Sequence, residues 1–266
     1  MSEQWVQLVD EDDAGHVVSL VLDRPAARNA ISVELARQVA VATTALAARS
    51  TLRSVVLRSS RDDAFCVGAD LKERRDASAA DLLAARAVNR ACYGGVLGLP
   101  VTVVAAVAGY ALGGGCELAL SCDLLVGSEA TVMGLPEVGV GLIPGGGGTQ
   151  LLVRRLGSGR AADLVLTGRR VGGAEAHRIG LLDRLVEPGA VVAEAVALAR
   201  TVATRSPASV RAAKAAMRQG ADLPLAQGLD VEDAAWRAVV AGPDRVEGVT
   251  AFLDKREPRW ADPQPS

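Results

Sequence analysis

The chain has 266 residues, half of them apolar, and a formal net charge of −2. This length is typical of one large domain with a substantial core. A charge near zero, without a dense block of Lys and Arg, excludes the electrostatic footprint of a nucleic-acid-binding protein. No apolar run reaches the roughly 20 residues of a membrane-spanning helix, and residues 1–5 lack the pattern of a secretory signal. We therefore expect a cytoplasmic protein that binds neither nucleic acid nor membrane.

Cysteine and histidine usage argues against a metal centre. The chain has two His, and its cysteines are Cys66, Cys92, Cys116 and Cys122. None of these thiols stands in the paired CxxC spacing of a structural zinc site. In a cytoplasmic protein such thiols are usually small buried hydrophobic groups that stay reduced. The sequence therefore predicts free cysteines and no bound metal.

The first part of the chain alternates strand and helix patterns. Residues 17–22 form a β-branched run that ends before Pro25, which predicts a strand entering a turn. Residues 32–49 are rich in Ala, Leu and Val without Gly or Pro, and Ser32 is a good N-cap, so we expect a helix. Residues 54–57 then predict a buried strand.

The same order recurs twice along the chain. A predicted loop at residues 65–70 precedes a helix opened by the Ser-x-x-Asp capping pattern at residue 78, and a strand follows at residues 101–107. A third cycle passes through a short helix at residues 117–121 into a strand at residues 124–126. Alternation of this kind predicts an α/β protein whose sheet is largely parallel and has helical crossovers.

The C-terminal part has a different, helical pattern. Its predicted helices follow one another at residues 190–203, 207–218, 224–240 and 243–256. Pro207 and Pro243 stand at helix starts, where the missing N–H costs nothing. An Ala-rich helical tail after an α/β body usually covers its own surface or that of a neighbouring subunit. We therefore divide the chain into a core of residues 1–190 and a C-terminal helical region of residues 191–266.

Two glycine-rich segments, residues 113–115 and 145–148, raise the question of phosphate binding. A P-loop has a Lys before its Ser or Thr, whereas Thr149 follows Gly148 directly. A dinucleotide fingerprint needs a third glycine where Pro144 stands. A Gly-x-Ser-x-Gly elbow does not occur, and two histidines leave a Ser or Cys nucleophile short of a base. The sequence therefore argues against NTP, NAD and nucleophilic hydrolase chemistry.

Two isolated carboxylates stand in apolar, glycine-rich surroundings. Glu117 lies two residues after a triple glycine, in a predicted first helical turn whose free N–H groups suit a developing oxyanion. Glu137 follows Pro136 and is also close to glycines. Two carboxylates held close in a poorly solvated site push their pKa values apart, which suits one as acid and one as base. Each also has a simpler interpretation, since Glu117 favours the helix dipole and Glu137 fits a turn after proline.

Several stretches together resemble the enoyl-CoA hydratase/isomerase (crotonase) family. Residues 65–72 (FCVGADLK) and 109–119 (GYALGGGCELA) carry most of the resemblance, and the second is close to the family signature. Further matching stretches follow in the family's order, at residues 24–30, 122–123, 134–137, 143–150 and 251–256. The resemblance implies a spiral of strand–strand–helix (ββα) turns. It also implies C-terminal helices that build a homotrimer, often paired into a homohexamer.

The resemblance assigns roles to individual residues. It places the thioester carbonyl of an acyl-CoA between the backbone N–H groups of Ala69 and Gly114, and makes Glu117 and Glu137 the catalytic pair. It assigns substrate and CoA contacts to Arg28, Ala69, Asp70, Leu71, Lys72, Gly114, Gly145, Phe252 and Lys255. Arg28 has a second interpretation as a solvated surface arginine. CoA belongs to the substrate, so the resemblance implies no cofactor.

Hydratases of the family carry both glutamates, whereas its isomerases commonly keep only the second. The resemblance therefore implies an enoyl-CoA hydratase of fatty acid oxidation, which adds water to one face of trans-2-enoyl-CoA with Glu117 as base and Glu137 as proton donor. The alternatives are an enoyl-CoA isomerase, other enolate chemistry on an acyl-CoA, or a protein that binds acyl-CoA without turnover. Two residues depart from the family pattern: Leu135 replaces a frequent Gln, and Leu151 replaces the usual Arg. Neither departure removes a catalytic group, and Leu135 makes the site more apolar, which leaves the acyl preference open.

Overall fold

The described part of the chain contains two β-sheets, and from β3 to β8 successive strands alternate between them. The computed structural model describes residues 3–262, so residues 1–2, part of the N-terminus considered above, and residues 263–266 of the predicted C-terminal region lie outside it. The six-stranded sheet has the spatial order β1 (Val6–Asp10), β2 (Val17–Leu22), β3 (Ser54–Ser59), β5 (Thr102–Val107), β7 (Leu124–Ser128) and β10 (Arg184–Val186). The four-stranded sheet has the order β4 (Ala64–Cys66), β6 (Tyr110–Leu112), β8 (Val132–Gly134) and β9 (Arg170–Gly172).

Helices connect the strands and fill the C-terminal part of the chain. Up to β10 they are α1 (Val33–Ala47), α2 (Leu71–Arg75), α3 (Ala79–Ala84), α4 (Arg86–Leu97), α5 (Gly114–Leu120), α6 (Gly148–Leu156), α7 (Ser158–Thr167) and α8 (Gly173–Arg178). After it come α9 (Val191–Ala203), α10 (Pro207–Gly220), α11 (Leu225–Val240) and α12 (Pro243–Leu253). Two short 3-10 helices, Pro25–Ala27 and Pro136–Val140, lie in the connections.

The connections follow a repeated strand–strand–helix order. β3, β5 and β7 lie in the larger sheet, and the strand after each of them lies in the smaller one. β2, β3, β5, β7 and β10 pair in parallel, whereas β1 runs antiparallel to β2. Parallel neighbours need a crossover connection, so helices fall between them as the alternation predicted. The predicted α/β fold, with its spiral of ββα turns, is confirmed.

Local sequence signals located several elements. β2 has the predicted bounds, and the hydroxyl of Ser32 accepts a hydrogen bond from the N–H of Leu35, 3.2 Å away, at the start of α1. The predicted capping box forms at the start of α3. The prediction of a loop over residues 65–70 was wrong for its first two residues, which belong to β4. Pairing with β6, which comes much later in the chain, stabilises this strand and leaves no local signal.

Two clusters of apolar side chains hold the layers together. The larger cluster joins one face of the six-stranded sheet to α1, α4 and the smaller sheet. The second joins the other face to α9, because successive strand residues such as Leu57 and Val56 point to opposite faces. Full burial of such a side chain contributes about 1.5–3 kcal/mol. α9, which the sequence division assigns to the C-terminal region, therefore packs on the core of its own chain.

The last three helices are attached to this body at fewer points. Lys214 and Arg218 of α10 donate to the carboxylate of Asp123 at 2.6 and 2.7 Å, and α10 packs against α11. No residue of α11 is buried, and α12 leaves Phe252 82% exposed. Among residues 3–262 no helix is both long and apolar enough to cross a membrane.

Candidate active site

Glu117 is held where two helices begin. α5 starts at Gly114, directly after β6, which places Glu117 at the end of the first helical turn, only 2% exposed. Its Oε1 accepts hydrogen bonds from the N–H groups of Gly146 and Gly148, 2.6 and 2.8 Å away. These donors belong to the glycine-rich turn that opens α6. The two glycine-rich segments of the sequence therefore meet at this carboxylate.

The surroundings of Glu117 have opposing effects on the pKa of its carboxyl group. Burial raises the pKa of the Glu117 carboxyl, because the ionised form loses its hydration. Backbone hydrogen bonds from Gly148, Gly146 and Gly145 lower the pKa in turn, since N–H donors favour the carboxylate. Arg86 also favours the ionised form, and one of its guanidinium nitrogens would lie 3.2 Å from a Cβ on Gly145. The group is buried but well supplied with donors.

Glu137 approaches from the 3-10 helix Pro136–Val140. Gly113, just before α5, has a φ of 52°, and a Cβ there would stand 2.9 Å from Glu137 Oε1. Glu137 Oε2 is buried and has no hydrogen-bond partner among residues 3–262. Burial, together with a smaller effect of the negative charge on Glu117, raises the pKa of Glu137 to about 7, and Arg74 opposes this rise.

The two carboxyl groups therefore favour different protonation states near neutral pH. Glu117 accepts two N–H hydrogen bonds, which an ionised oxygen favours, whereas one oxygen of Glu137 has no donor among residues 3–262. Ionisation of one group raises the pKa of the other, so the two carboxyl groups do not ionise independently. We therefore expect Glu117 to accept a proton and Glu137 to give one, which is the combination that general acid–base catalysis needs.

Two backbone segments meet beside these carboxyls, and each has an N–H group without an acceptor among residues 3–262. Ala69 forms a parallel bridge with Ile31, and the bridging bonds use the carbonyl of Gly68 and the N–H of Asp70, at 2.7 and 3.0 Å. The N–H of Ala69 itself therefore points away from Ile31. The N–H of Gly114 is the first of α5 and has no acceptor within the helix. A Cβ on Gly68 would stand 3.4 Å from this nitrogen, so the segments touch; their role as oxyanion hole stays a prediction.

A cavity of about 860 Å³ borders Ala69. Its lining includes four consecutive residues predicted to contact CoA: Ala69, Asp70, Leu71 and Lys72. The carboxylate of Asp70 already has protein partners, because it accepts from Arg24 at 2.7 Å and caps the start of α2. This segment therefore offers a ligand its backbone, the exposed side chain of Leu71 and the ammonium group of Lys72.

Two further residues of this cavity were missed as candidates in the sequence. The guanidinium of Arg24 lies 4.5 Å from the ring centroid of Trp5 and pairs with Asp70, and both Arg24 and Trp5 line the cavity. A cation over an aromatic ring and a charge-assisted hydrogen bond together fix this arginine. In the sequence, Arg24 stands out only within a stretch that resembles the family. No spacing rule connects it with an Asp 46 residues later.

The other predicted contact residues do not line this cavity. Arg28 lies 3.8 Å from Asp63 and its side chain is 60% exposed, which is the geometry of a solvated surface arginine. Gly145 lies instead near Glu117, whose carboxyl its backbone N–H approaches. Phe252 is 82% exposed on α12, and Lys255 follows that helix with a φ of 55°. Among residues 3–262 these four residues lie outside the lining of this cavity, and their contacts with CoA stay predictions.

Tyr93 of α4 is a residue of the site that sequence reasoning missed. It is 9% exposed, and its hydroxyl would lie 2.5 Å from a Cβ on Gly114. Its ring packs against Gly146, where a Cβ would stand 2.6 Å from ring carbons. Burial raises the pKa of Tyr93 well above its usual range, so its hydroxyl stays neutral. The available signal was a large ring directly before two glycines, in a chain with only 2 Tyr.

Comparisons with known proteins identify the family. The family model described as Enoyl-CoA hydratase/isomerase matches residues 12–263. Mitochondrial methylglutaconyl-CoA hydratase of Homo sapiens is 38% identical over 262 residues, which cover 97% of this chain and 77% of that protein. Human enoyl-CoA hydratase domain-containing protein 2 is 37% identical, with 97% and 90% covered. The crystal structure of an enoyl-CoA hydratase from Bacillus anthracis matches with a TM-score of 0.94 at 36% identity, covering 98% and 100%. The chain belongs to the enoyl-CoA hydratase/isomerase (crotonase) family.

Proposed function

We propose that the protein is an enoyl-CoA hydratase, which adds water to trans-2-enoyl-CoA and yields 3-hydroxyacyl-CoA. The observation that carries the proposal is the pair of carboxyl groups, Glu117 buried and held by two backbone donors and Glu137 half-buried with its pKa raised to about 7. Hydration needs a base for water and an acid for the α-carbon, whereas one group that moves a proton suffices for a double-bond shift. The presence of both therefore favours the hydratase.

In the proposed reaction the thioester carbonyl accepts hydrogen bonds from the N–H groups of Ala69 and Gly114. Negative charge develops on this oxygen as an enolate-like state forms, so donors aimed at it stabilise the transition state more than the ground state. One such donor is typically worth about 10²–10³ in rate. Backbone donors also explain the small residues here, since these let a ligand approach the main chain closely.

The proposed proton transfers use the two glutamates in turn. Glu117 removes a proton from water while the water oxygen bonds to Cβ, and the π electrons of the double bond move toward Cα and the carbonyl. Glu137 then gives its proton to Cα on the same face. Glu117 ends protonated and Glu137 ionised, and exchange through solvent restores the pair. Each acid or base contributes about 10²–10⁴ in rate, and the proposal needs no cofactor beyond the CoA of the substrate.

An enoyl-CoA isomerase is the second candidate, because Leu135 makes the neighbourhood of Glu117 apolar. Leu135 is 1% exposed, and both its Cδ1 and Glu117 Oε1 would lie 3.0 Å from a Cβ on Gly148. An apolar wall here weakens the hold on a water molecule. The hydratase is still favoured, because Glu117 retains its carboxylate and both donors. Fatty acid oxidation is the proposed setting, and an acyl-CoA-binding protein without turnover stays the non-enzymatic alternative.

We also propose that the protein assembles as a homotrimer, or as a homohexamer of two trimers. The apolar side chains of α11 support this, since Leu225 and Trp236 are 78% and 64% exposed. Clustered exposed apolar groups of this kind mark protein interfaces, and most soluble oligomers are symmetric assemblies of identical chains. The predicted contacts of Phe252 and Lys255 would then be made across subunits. The cytoplasmic location stays a prediction from the sequence.

The absorbance of the conjugated thioester provides the test. Purified protein is mixed with trans-2-enoyl-CoA substrates of increasing chain length, and the product is identified by mass. Rapid loss of absorbance with a gain of one water supports the hydratase and ranks the substrates. No loss at any length, with binding of CoA thioesters intact, overturns it; conversion of a 3-enoyl-CoA to its 2-isomer would then identify an isomerase.

A further inference from the structure

A second, smaller cavity adjoins the candidate active site. It has a volume of about 150 Å³ and lies between the start of α1 and the helices α2, α3 and α4. Ile31, Val33 and Leu82 give it apolar walls. Ile31 also reaches the carbonyl-binding segment, because its Cδ1 would lie 3.3 Å from a Cβ on Gly114. One side chain therefore borders both the small cavity and the candidate oxyanion hole.

Some charged and polar side chains of this cavity have hydrogen-bond partners and others have none among residues 3–262. The carboxylate of Glu73 accepts the N–H of Val33 at 3.0 Å, and Asp81 is occupied by the capping box of α3 at 2.9 and 2.7 Å. Arg74 and Asn89 line the same cavity. Within residues 3–262 neither of these two side chains has a hydrogen-bond or ion-pair partner. Both acids accept hydrogen bonds within the chain, so among residues 3–262 the unpaired polar side chains of this cavity are the guanidinium of Arg74 and the amide of Asn89.

Arg74 lies close enough to act on the reaction centre. Its positive charge lowers the pKa of Glu137 and of Tyr93 against the larger effect of burial. Asn89 stands one turn before Tyr93 in α4, and side chains four residues apart share a helix face. The guanidinium of Arg74, the amide of Asn89 and the hydroxyl of Tyr93 therefore lie near one another, and Ile31 lies between the small cavity and the candidate thioester site.

We propose that this cavity receives the far end of the acyl group, and that the preferred substrate is an enoyl-CoA whose chain ends in a carboxylate bound by Arg74 and Asn89. The inference rests on the proposed hydratase function. A guanidinium presents paired N–H donors that match a carboxylate, and such charge-assisted bonds are about twice as strong as neutral ones. A methyl end leaves these polar groups unpaired beside apolar walls, so the cavity discriminates against it.

Two matched pairs of thioesters test this inference. Glutaconyl-CoA and trans-2-pentenoyl-CoA have equal carbon chains and differ in the terminal carboxylate. Glutaryl-CoA and pentanoyl-CoA repeat the comparison without a double bond, so calorimetry measures their binding alone. The wild type is expected to prefer the carboxylate of each pair, and Arg74→Met to reduce that preference about 10- to 100-fold, mainly through KM. Arg74→Lys keeps the charge and is expected to restore part of it.

The ratio within each pair separates this role from other effects of Arg74. A changed pKa of Glu137 would alter hydration of both enoyl-CoAs alike and leave their ratio unchanged. Arg75→Met is the matched control, because Arg75 is 75% exposed and pairs with Asp76. An unchanged ratio in Arg74→Met, or a wild type that prefers the methyl-ended thioesters, overturns the inference. If neither enoyl-CoA is hydrated, the proposed function fails, and the binding of glutaryl-CoA against pentanoyl-CoA still decides the specificity.

Discussion

The helices α5 and α11 place their polar and apolar residues in opposite ways. Every residue of α5 is buried, Glu117 included. No residue of α11 is buried, although it carries Leu225, Leu229 and Trp236, which are 78%, 52% and 64% exposed. A charged group lies inside and large apolar groups lie outside, the reverse of the usual distribution.

The two helices differ in whether their own chain supplies the contacts that they need. The buried carboxylate of α5 is stable because N–H groups of the turn before α6 donate to it. The apolar side chains of α11 have no comparable cover among residues 3–262, and each Å² of apolar surface left in water forgoes about 25 cal/mol. Catalysis should therefore depend on contacts within the chain, and the C-terminal helices on a neighbouring subunit.

The largest effect is expected from Glu117→Gln. The amide keeps the size of the side chain but cannot take a proton from water, so kcat for hydration should fall about 10²- to 10⁴-fold. Its oxygen can still accept the N–H groups of Gly146 and Gly148, so calorimetry should find the binding of a saturated acyl-CoA nearly unchanged. Glu129→Gln, in the exposed turn before β8, is the control. Full activity of Glu117→Gln, or an equal loss in the control, contradicts the assignment.

Part of this site was predictable because its signals are local in the sequence. A triple glycine before an apolar helix marked Glu117 as a candidate without knowledge of the fold, and Ser32, a residue type favoured at N-caps, marked the start of α1. The parallel sheet followed from alternating strand and helix patterns. Ala69 and Gly114 came from the family resemblance alone, because backbone N–H groups leave no trace in side-chain chemistry.

The remaining features depend on contacts between distant residues. Arg24 pairs with Asp70 across 46 positions, and Tyr93 meets Gly114 only because α4 packs beside α5. Strand β4 is likewise defined by its partner, since β-structure reflects cross-strand neighbours more than local preference. The sequence pattern of α11 predicts an apolar face but does not indicate whether that face packs on the core of its own chain or on another subunit.

The next largest effect is expected from Gly113→Ala. The residue has a φ of 52°, and the added Cβ would stand 2.9 Å from Glu137 Oε1. Alanine is strained there and pushes the carboxyl away. Misplacing a catalytic group by about 1 Å can cost about 10²-fold in rate, so we expect a loss of that order in kcat. Gly159→Ala in α7, whose Cβ meets nothing within 4 Å, should keep activity; equal rates of both variants would rule out positioning of Glu137 by Gly113.

Trp236→Ser tests whether the exposed apolar side chains of α11 form a subunit interface. Truncation of an aromatic anchor in an interface costs about 2 kcal/mol or more, which corresponds to about 30-fold in the dissociation constant. Sedimentation over a range of concentrations should therefore show smaller species in the variant. Arg237→Ser is the control, because Arg237 is exposed on the same helix and pairs with Asp233 at 2.6 Å. If both variants keep the wild-type mass throughout, α11 is not an interface.

A smaller effect, about tenfold per pH unit, concerns the proton on Glu137. Because burial raises the pKa of Glu137 to about 7, the protonated donor is depleted above that pH, and kcat/KM for hydration should fall on the alkaline side. On the acid side kcat/KM should fall as Glu117 becomes protonated. A rate profile over pH with a saturating and a limiting substrate concentration measures both limbs. Activity that stays constant well above pH 7 contradicts the role of Glu137 as proton donor.

The same ionisation also predicts a pH dependence of stability. The pKa of Glu137 rises from its usual 4.5 to about 7 on folding, so the folded state binds this proton more tightly than the unfolded state. The resulting stabilisation is fully present below pH 4.5 and is lost as pH rises to about 7. Glu137→Gln cannot ionise and lacks this dependence. Denaturant unfolding measures this. Relative to Glu137→Gln, the wild type should lose free energy of unfolding as pH rises from 4.5 to about 7, and no more above that pH. A constant difference between the two proteins over this range would mean that the Glu137 carboxyl is already ionised in the folded protein.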